Sequence, residues 1–293
     1  MAEKLSLQQW LQAAEEENNT FGAYCLAFQA KDMEMTEQAI LERMLEIMQV
    51  MEESALAGLK GVKSMGGLVG QNASLMASYQ ERKEKSLVGP IVSNAIRTAL
   101  AVGEANAAMG RIVAAPTAGA SGTLPAVLLA LEEPLALKKI DLARGLVVAG
   151  VIGMVIASRA SLSGAAGGCQ AECGSAAAMA AAAAVDLAGG TPRQVGQAVA
   201  MTIKNMLGLV CDPVAGLVEV PCVKRNAGAA AQALVAAEMA MAGVESVIPV
   251  DEVIDAMSSV GCAMSGTLRE TAQGGLAVTP TGAAWQEKLF GKK

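Results

Sequence analysis

An all-α fold, a compact multi-helix domain with Gly/Pro-rich loops between the helices, is predicted by three features. Hydrophobic residues make up 53% of the 293-residue chain while aromatics make up only 2%, so Ala, Met, Leu and Val must fill the core. Ala has the best helix propensity, and its small side chain lets helix axes approach closely. Strand signals are thin: β-branched pairs such as Val147-Val148 sit among Ala and Gly without alternation.

The helices follow in order. Ser6 with Gln9 reads as a capping box opening a short helix to about Glu17. Thr36 caps a long one, with Ile40, Met44, Ile47, Met51, Ala55, Leu59 and Val62 at helical spacing on one face. Between Ser64 and Ser86 the periodicity fades, and the charged run Glu81 to Lys85 reads as a solvated loop or helix end. Helical pattern returns from Pro90 to Gly110 and stops at the Gly- and Pro-rich segment Ala115 to Thr123. Further helices are expected at about 124–132, 141–158 and 174–188, the last closed by Gly189-Gly190 as a C-cap. Thr191-Pro192-Arg193-Gln194 supplies an N-cap, an N1 proline and a capping-box Gln for the next. Another spans about Asn226 to Ala242, and a final amphipathic one starts near Val250. The whole is expected to be one catalytic domain over residues 1–293, with residues 1–63 as an N-terminal helical subregion and a weak boundary around 64–90.

Composition excludes several classes. An apolar chain with 17% charged residues is the reverse of the disordered signature. A net charge of −6 and seven aromatic residues leave neither a phosphate-neutralising field nor stacking platforms for nucleic acid. The uncharged stretch Ile112 to Leu131 is interrupted by Pro116 and Pro125, and the apolar run Gly145 to Ser158 is only 14 residues between arginines. Neither suits a bilayer helix. With no apolar signal region at the N-terminus, a cytoplasmic protein is expected.

The chemistry lies in the cysteines and in what is missing. There is no histidine, which removes the usual general base and the commonest zinc ligand together. Cys169, Cys173, Cys211 and Cys222 fall within 54 residues, whereas Cys25 and Cys262 stand alone and read as small packing residues. Cys169 ends a stretch, Ser163 to Gly168, that is too glycine-rich for packed helix, and it precedes a helix N-terminus that favours thiolate. Cys211 and Cys222 bracket Asp212-Pro213-Val214-Ala215-Gly216-Leu217-Val218-Glu219-Val220-Pro221, a compact loop. Three loop cysteines converging would suit an iron–sulfur cluster. Inert buried thiols are the equal alternative on spacing alone, since no short Cys-x-x-Cys pattern occurs.

Three segments carry a resemblance: Pro116-Thr117-Ala118-Gly119-Ala120-Ser121-Gly122, Gly168-Cys169-Gln170-Ala171-Glu172, and the run from Cys211 through Cys222-Val223-Lys224-Arg225-Asn226. Over about residues 35 to 280 the chain resembles the iron–sulfur L-serine dehydratases, in the form of the separate α subunit of the two-chain type. The resemblance implies an all-helical subunit holding a [4Fe–4S] cluster on Cys169, Cys211 and Cys222, and a separate β subunit completing a hetero-oligomer. Cys173 departs from it, standing where relatives usually carry an aliphatic residue; it is expected to pack, with an accessory-ligand role as the second reading because its i, i+4 spacing from Cys169 could bring it near the cluster. Asn205 stands where single-chain relatives carry a His, so a histidine-dependent step cannot reside in this chain.

A cluster on three thiolates leaves one iron open as a Lewis acid toward the serine hydroxyl. Removal of the Cα proton by a base, an effect on the order of a hundredfold, would give aminoacrylate, then pyruvate and ammonia. Ser64, Thr117 and Ser121 in Gly-rich loops are candidates for that chemistry, with loop hydrogen bonding and capping as their alternative. Arg225 is expected beside the substrate carboxylate or the anionic cluster. The turn Thr117 to Gly122, with Gly119 and Ser121, reads as an anion cradle, and Asn226 as a substrate contact or a cap. Two other classes compete: a scaffold protein holding structural zinc, and a pyridoxal-phosphate-dependent amino-acid dehydratase.

Overall fold

The computed structural model describes residues 4–82 and 86–291. Among them are thirteen helices and no strand. They are α1 (Leu7–Glu16), α2 (Phe21–Asp32), α3 (Glu37–Leu59), α4 (Asn72–Glu81), α5 (Gly89–Ala107), α6 (Thr123–Glu132), α7 (Lys139–Arg159), the single turn α8 (Gly164–Gly167), α9 (Ser175–Leu187), α10 (Pro192–Met206), α11 (Cys222–Met241), α12 (Val250–Ala263) and α13 (Pro280–Phe290).

The sequence of α9 explains the architecture. Every residue from Ser175 to Val185 is buried, and ten of these eleven are Ala, Met or Val side chains around a run of alanines. A helix apolar on all sides belongs at the centre of a bundle, and α6, α7, α10 and α11 pack around it. Helices α3 and α5 form a further layer against α7 and α11, while α1, α2 and α12 cover α7 and α10. The buried core is continuous from Leu7 to Met257. At the crossing of α3 and α5 the backbones touch, and a Cβ on Gly58 would overlap the Ala101 carbonyl.

The N-caps read from sequence are formed, although at Ser6 only the half of the box in which Ser6 accepts is present. Ser6, Thr36 and Thr191 accept hydrogen bonds from the backbone N–H groups of Gln9, Ala39 and Gln194, and the Gln194 side chain closes its box on Thr191. The structure adds four helices that periodicity did not predict: α2, α4, α13 and the single turn α8, which forms inside the stretch read as too glycine-rich for packed helix. Helix α4 falls inside the segment expected to be irregular. Its first turn is capped by the carboxylate of Glu104, fully buried in α5, which accepts from the backbone N–H groups of Gly70 (2.7 Å), Asn72 (2.8 Å) and Ala73 (3.2 Å). The charged run closes α4 at Glu81, and Lys83 to Lys85 lie outside the described residues.

Two further expectations are corrected. Helix α7 spans 21 residues, long and apolar enough by length and composition to cross a membrane, but two thirds of its apolar window is buried among the other helices. Helix α11 starts at Cys222, four residues earlier than periodicity suggested, because Pro221 occupies the cap position and releases the helix at once.

Candidate metal centre

Cysteines from two distant parts of the chain meet at one cavity. The Gly-rich segment before α9 forms the single turn α8, breaks at Gly168 (φ +76°), and resumes as a π turn over Gln170–Gly174 that leads into α9. Such widened turns frequently occur at functional sites. The glycines are required by close approach: a Cβ on Gly164 would press on the Glu172 carboxylate and lie 3.1 Å from the Cys211 sulfur. Cys169 and Cys173 stand one turn apart on this segment.

Opposite, Cys211 is strapped to the C-terminal segment. Its N–H donates to the Leu268 carbonyl (2.8 Å), and its own carbonyl accepts from the N–H of Glu270 (2.7 Å). Asp212 extends the strap by accepting from the N–H of Leu276 at 2.8 Å. Cys222 follows at the first position of α11. Cys169, Cys173, Cys211 and Cys222 all line one cavity of about 190 Å³, together with Thr117, Gly119, Glu172 and Glu270. The Cys211 sulfur, Glu172 and Glu270 place one ligand atom each within 4.8 Å of one another.

The electrostatics separate the thiols. A hydrogen bond with Cys173 holds the Cys169 thiol below its usual range, and the charge of Arg225 acts the same way against burial. The same hydrogen bond, followed by burial, pushes Cys173 far up. Burial pushes Cys211 up, reinforced by Cys169 and Glu172. Burial likewise pushes Cys222 up to about 12. Burial also raises Glu172, opposed by a hydrogen bond from the Thr117 hydroxyl.

Other sequence candidates lie elsewhere. Ser64 is buried away from the cavity and donates to the Glu219 carboxylate (2.7 Å) and the Val69 carbonyl (2.9 Å). Glu219 also accepts from the N–H groups of Gly66 and Leu68, so it ties the 64–68 loop to the cysteine loop. Asn226 is buried, and all its polar capacity is used: Oδ1 accepts from the Gly122 N–H (2.9 Å) and the Thr123 hydroxyl (3.1 Å), while Nδ2 donates to the carbonyls of Gly119 (2.7 Å) and Cys222 (3.0 Å). It is a clamp between the 117–123 turn and α11, outside the cavity wall. Ser121 is buried outside the wall as well.

Arg225 is engaged from behind the site, by Asp212 at 2.8 Å and the Val210 carbonyl at 2.7 Å. Its fork is therefore occupied by protein groups, and it reaches Cys169 and Cys222 through its charge. Thr117 and Gly119 are the members of the expected cradle that face the cavity. Glu172 and Glu270 are cavity residues to which the sequence gives no binding role, and Cys173, packing residue or accessory ligand by sequence, lines the cavity as well. Glu172 was within reach because it belongs to the Cys169 motif, whereas Glu270 enters only through backbone pairing with Cys211. Cys25 is buried in the core and Cys262 is exposed, both apart from this cavity.

The donor set fits the group that the resemblance implies. Soft sulfur ligands select iron–sulfur clusters, zinc or copper(I) over hard cations, and four cysteine sulfurs line this cavity. Among the described residues no lysine lines the cavity, so a pyridoxal Schiff base has no partner there.

Comparison with known proteins agrees with this architecture. The family model described as "Serine dehydratase alpha chain" matches residues 3–277. The chain is 54% identical over 265 residues to a probable L-serine dehydratase, alpha chain, of Bacillus subtilis, covering 89% of this chain and 88% of that one. It is 44% identical to the L-serine dehydratase, alpha chain, of Peptoniphilus asaccharolyticus, over 86% of each. The L-serine dehydratase TdcG of Escherichia coli is 46% identical over 61% of this chain and 40% of its own length. The match over nearly the full chain shows that this protein belongs to the serine dehydratase alpha chain family.

Proposed function

We propose that this chain is the metal-bearing subunit of an L-serine ammonia-lyase, which converts L-serine to pyruvate and ammonia, and that a [4Fe–4S] cluster is held by Cys169, Cys211 and Cys222. The observation that carries this reading is the convergence of thiols from the α8–α9 segment and from the Cys211–Cys222 loop on one small cavity in a chain without histidine. When bound, a cluster held by three protein thiolates leaves one iron with an open position and supplies Lewis acidity toward a hydroxyl.

The protein's own groups bind and orient. The N–H groups of Ala120, Ser121 and Gly122 are engaged by Thr117, the Ala118 carbonyl and Asn226, so the backbone left to meet a carboxylate is the part lining the cavity before α6, at Ala118 and Gly119. Glu172 and Glu270 place two carboxylates on the opposite chemistry, the substrate ammonium. The Thr117 hydroxyl, held by Glu172, is the one of the three proposed hydroxyls that faces the cavity. Arg225 keeps positive charge behind Cys169 and Cys222, which favours their thiolate forms. A β chain, as the α-chain naming of the relatives implies, supplies the remaining groups of the site.

Cys169→Ala, Cys211→Ala and Cys222→Ala should each abolish iron content and pyruvate formation in the anaerobic complex, while Cys25→Ala and Cys262→Ala retain both. Full iron in any of the first three overturns the ligand assignment. Zinc is the second reading, because four thiols also satisfy its tetrahedral preference. One zinc and no iron in a colourless preparation would establish it, whereas broad brown absorption that bleaches in air supports the cluster.

A further inference from the structure

The cavity, about 190 Å³, is small beside the roughly 300–1,000 Å³ of ordinary small-molecule sites. Among the described residues that line it, Pro213 and Val218 alone, apart from the cysteines, carry apolar side chains larger than a methyl group. Val218 is the half-buried tip of a three-residue turn, which the Glu219 N–H closes on the Leu217 carbonyl at 2.8 Å. Both of its neighbours are pinned to the 64–68 loop. The Glu219 carboxylate accepts from the Gly66 and Leu68 N–H groups and from the Ser64 hydroxyl. Leu217 packs on Gly66 so closely that a Cβ there would lie 2.6 Å from the Leu217 Cδ1. The turn cannot swing away from the cavity without breaking these contacts, so the Val218 side chain is a fixed part of the wall.

A β-hydroxy amino acid brings three polar groups, and each has a counterpart: the Ala118–Gly119 backbone for the carboxylate, Glu172 and Glu270 for the ammonium, and the metal for the hydroxyl. The Cα–Cβ unit is left without one, and the apolar wall is where it packs. Serine carries only hydrogens on Cβ besides its hydroxyl, whereas threonine adds a methyl group. We propose that Val218 is a specificity-determining residue, whose branched side chain fills the space that a methyl on the substrate β-carbon requires and so confines the site to serine. Pro213 shapes the same wall, but its ring is fixed by the backbone, so Val218 is the side chain that sets the width. The inference rests on the ammonia-lyase reading above and deepens it by naming how the substrate's β-carbon is read.

The test uses the anaerobically isolated α–β complex of wild type, Val218→Ala, Val218→Thr and Val218→Ile, with iron content measured for each. Values of kcat/KM for L-serine and L-threonine are taken from the formation of pyruvate and 2-oxobutanoate. Binding of L-threonine is read separately, from the change it causes in the visible absorption of the metal centre. Val218→Ala should raise threonine relative to serine by about 10- to 200-fold, the range for a methylene-sized change in an apolar pocket. Threonine should then perturb a spectrum that it leaves unchanged in wild type. Val218→Thr keeps the shape of the side chain and should keep the discrimination, while Val218→Ile narrows the wall and should raise the KM for serine itself. Unchanged discrimination in an iron-replete Ala variant, or a Thr variant that behaves as Ala, would overturn the role of Val218. So would a wild type that takes both substrates equally well, or loss of iron in every variant, which would make Val218 a packing residue of the cysteine loop. A wild-type complex that forms no pyruvate would overturn the ammonia-lyase reading and this inference with it.

Discussion

Replacing Asn226 by Ala separates a clamp from a substrate contact. The wild-type amide makes four hydrogen bonds, to Gly122 N–H, Thr123 hydroxyl, Gly119 carbonyl and Cys222 carbonyl. Each contributes about 1 kcal/mol net, and stranding the buried Gly122 N–H adds about 1–3 kcal/mol. The Cys222 carbonyl lies within its own helix and relaxes most easily, so the other three bonds and the stranded N–H give an expected total of roughly 4–6 kcal/mol. Urea unfolding of the metal-free chain measures it directly, since a shift in midpoint at constant slope is a change in stability. Asn226→Asp should be no better than Ala, because the replaced donor becomes an acceptor facing two carbonyls. Iron uptake should fall in step, as both the 117–123 turn and the Cys222 end of α11 lose their register. A variant within about 0.5 kcal/mol of wild type, with normal iron and a raised KM for serine, would refute the clamp and return Asn226 to the substrate.

Three further outcomes follow from buried groups elsewhere. Glu104→Gln turns an amide toward the N–H groups that cap α4 and should destabilise the chain by about 1–3 kcal/mol, with hydrogen exchange in 72–81 accelerating first; unchanged exchange there would exclude the tertiary cap. Gly58→Ala drives a Cβ into the Ala101 carbonyl and should lower stability by about 1–3 kcal/mol through the α3–α5 crossing, read by the same unfolding assay, and a neutral result would contradict that backbone contact. Burial raises the carboxyl of Asp186, opposed by the Gly22 N–H and Arg144, so its proton is bound more tightly in the folded state. Its contribution is then fully present below the unfolded value of about 3.9 and is lost as pH rises through the raised folded value. Stability of Asp186→Asn relative to wild type should therefore improve from pH ~4 upward through that window, and a gap independent of pH would remove Asp186 as the cause.

Local signals in the sequence were sufficient where a helix end closes on itself. Ser6, Thr36 and Thr191 each bond within three residues of their own position, so the motif and the hydrogen bond coincide. The same logic was available for α2 and α13, whose first turns are capped by Thr20 and Thr279 with Pro280 at N1, but neither helix carries a strong apolar stripe. Helix α4 is different in kind. Its orphan N–H groups are satisfied by Glu104, about thirty residues away, and a carboxylate arriving through tertiary packing leaves no mark beside the helix it caps.

The site divides along the same line. Cys169, Cys211 and Cys222 could be grouped from sequence because each sits where Gly or Pro interrupts helical pattern, and those interruptions are the price of bringing backbone close to the cavity, as Gly164 against Glu172 and Cys211 shows. The hydroxyl candidates could not be ranked that way. Ser64 and Thr117 share a Gly-rich context, yet Ser64 is drawn toward Glu219 and Thr117 toward Glu172, and the difference lies in which carboxylate the fold delivers. Arg225 and Asn226 adjoin the Cys222 motif, but α11 starting at Cys222 turns them to Asp212 and to the 117–123 turn. Their proximity in sequence therefore marks the wall that supports the cavity, and the polar groups that face it besides the cysteines come from the strap behind Cys211, the turn after Cys169 and the turn at Thr117.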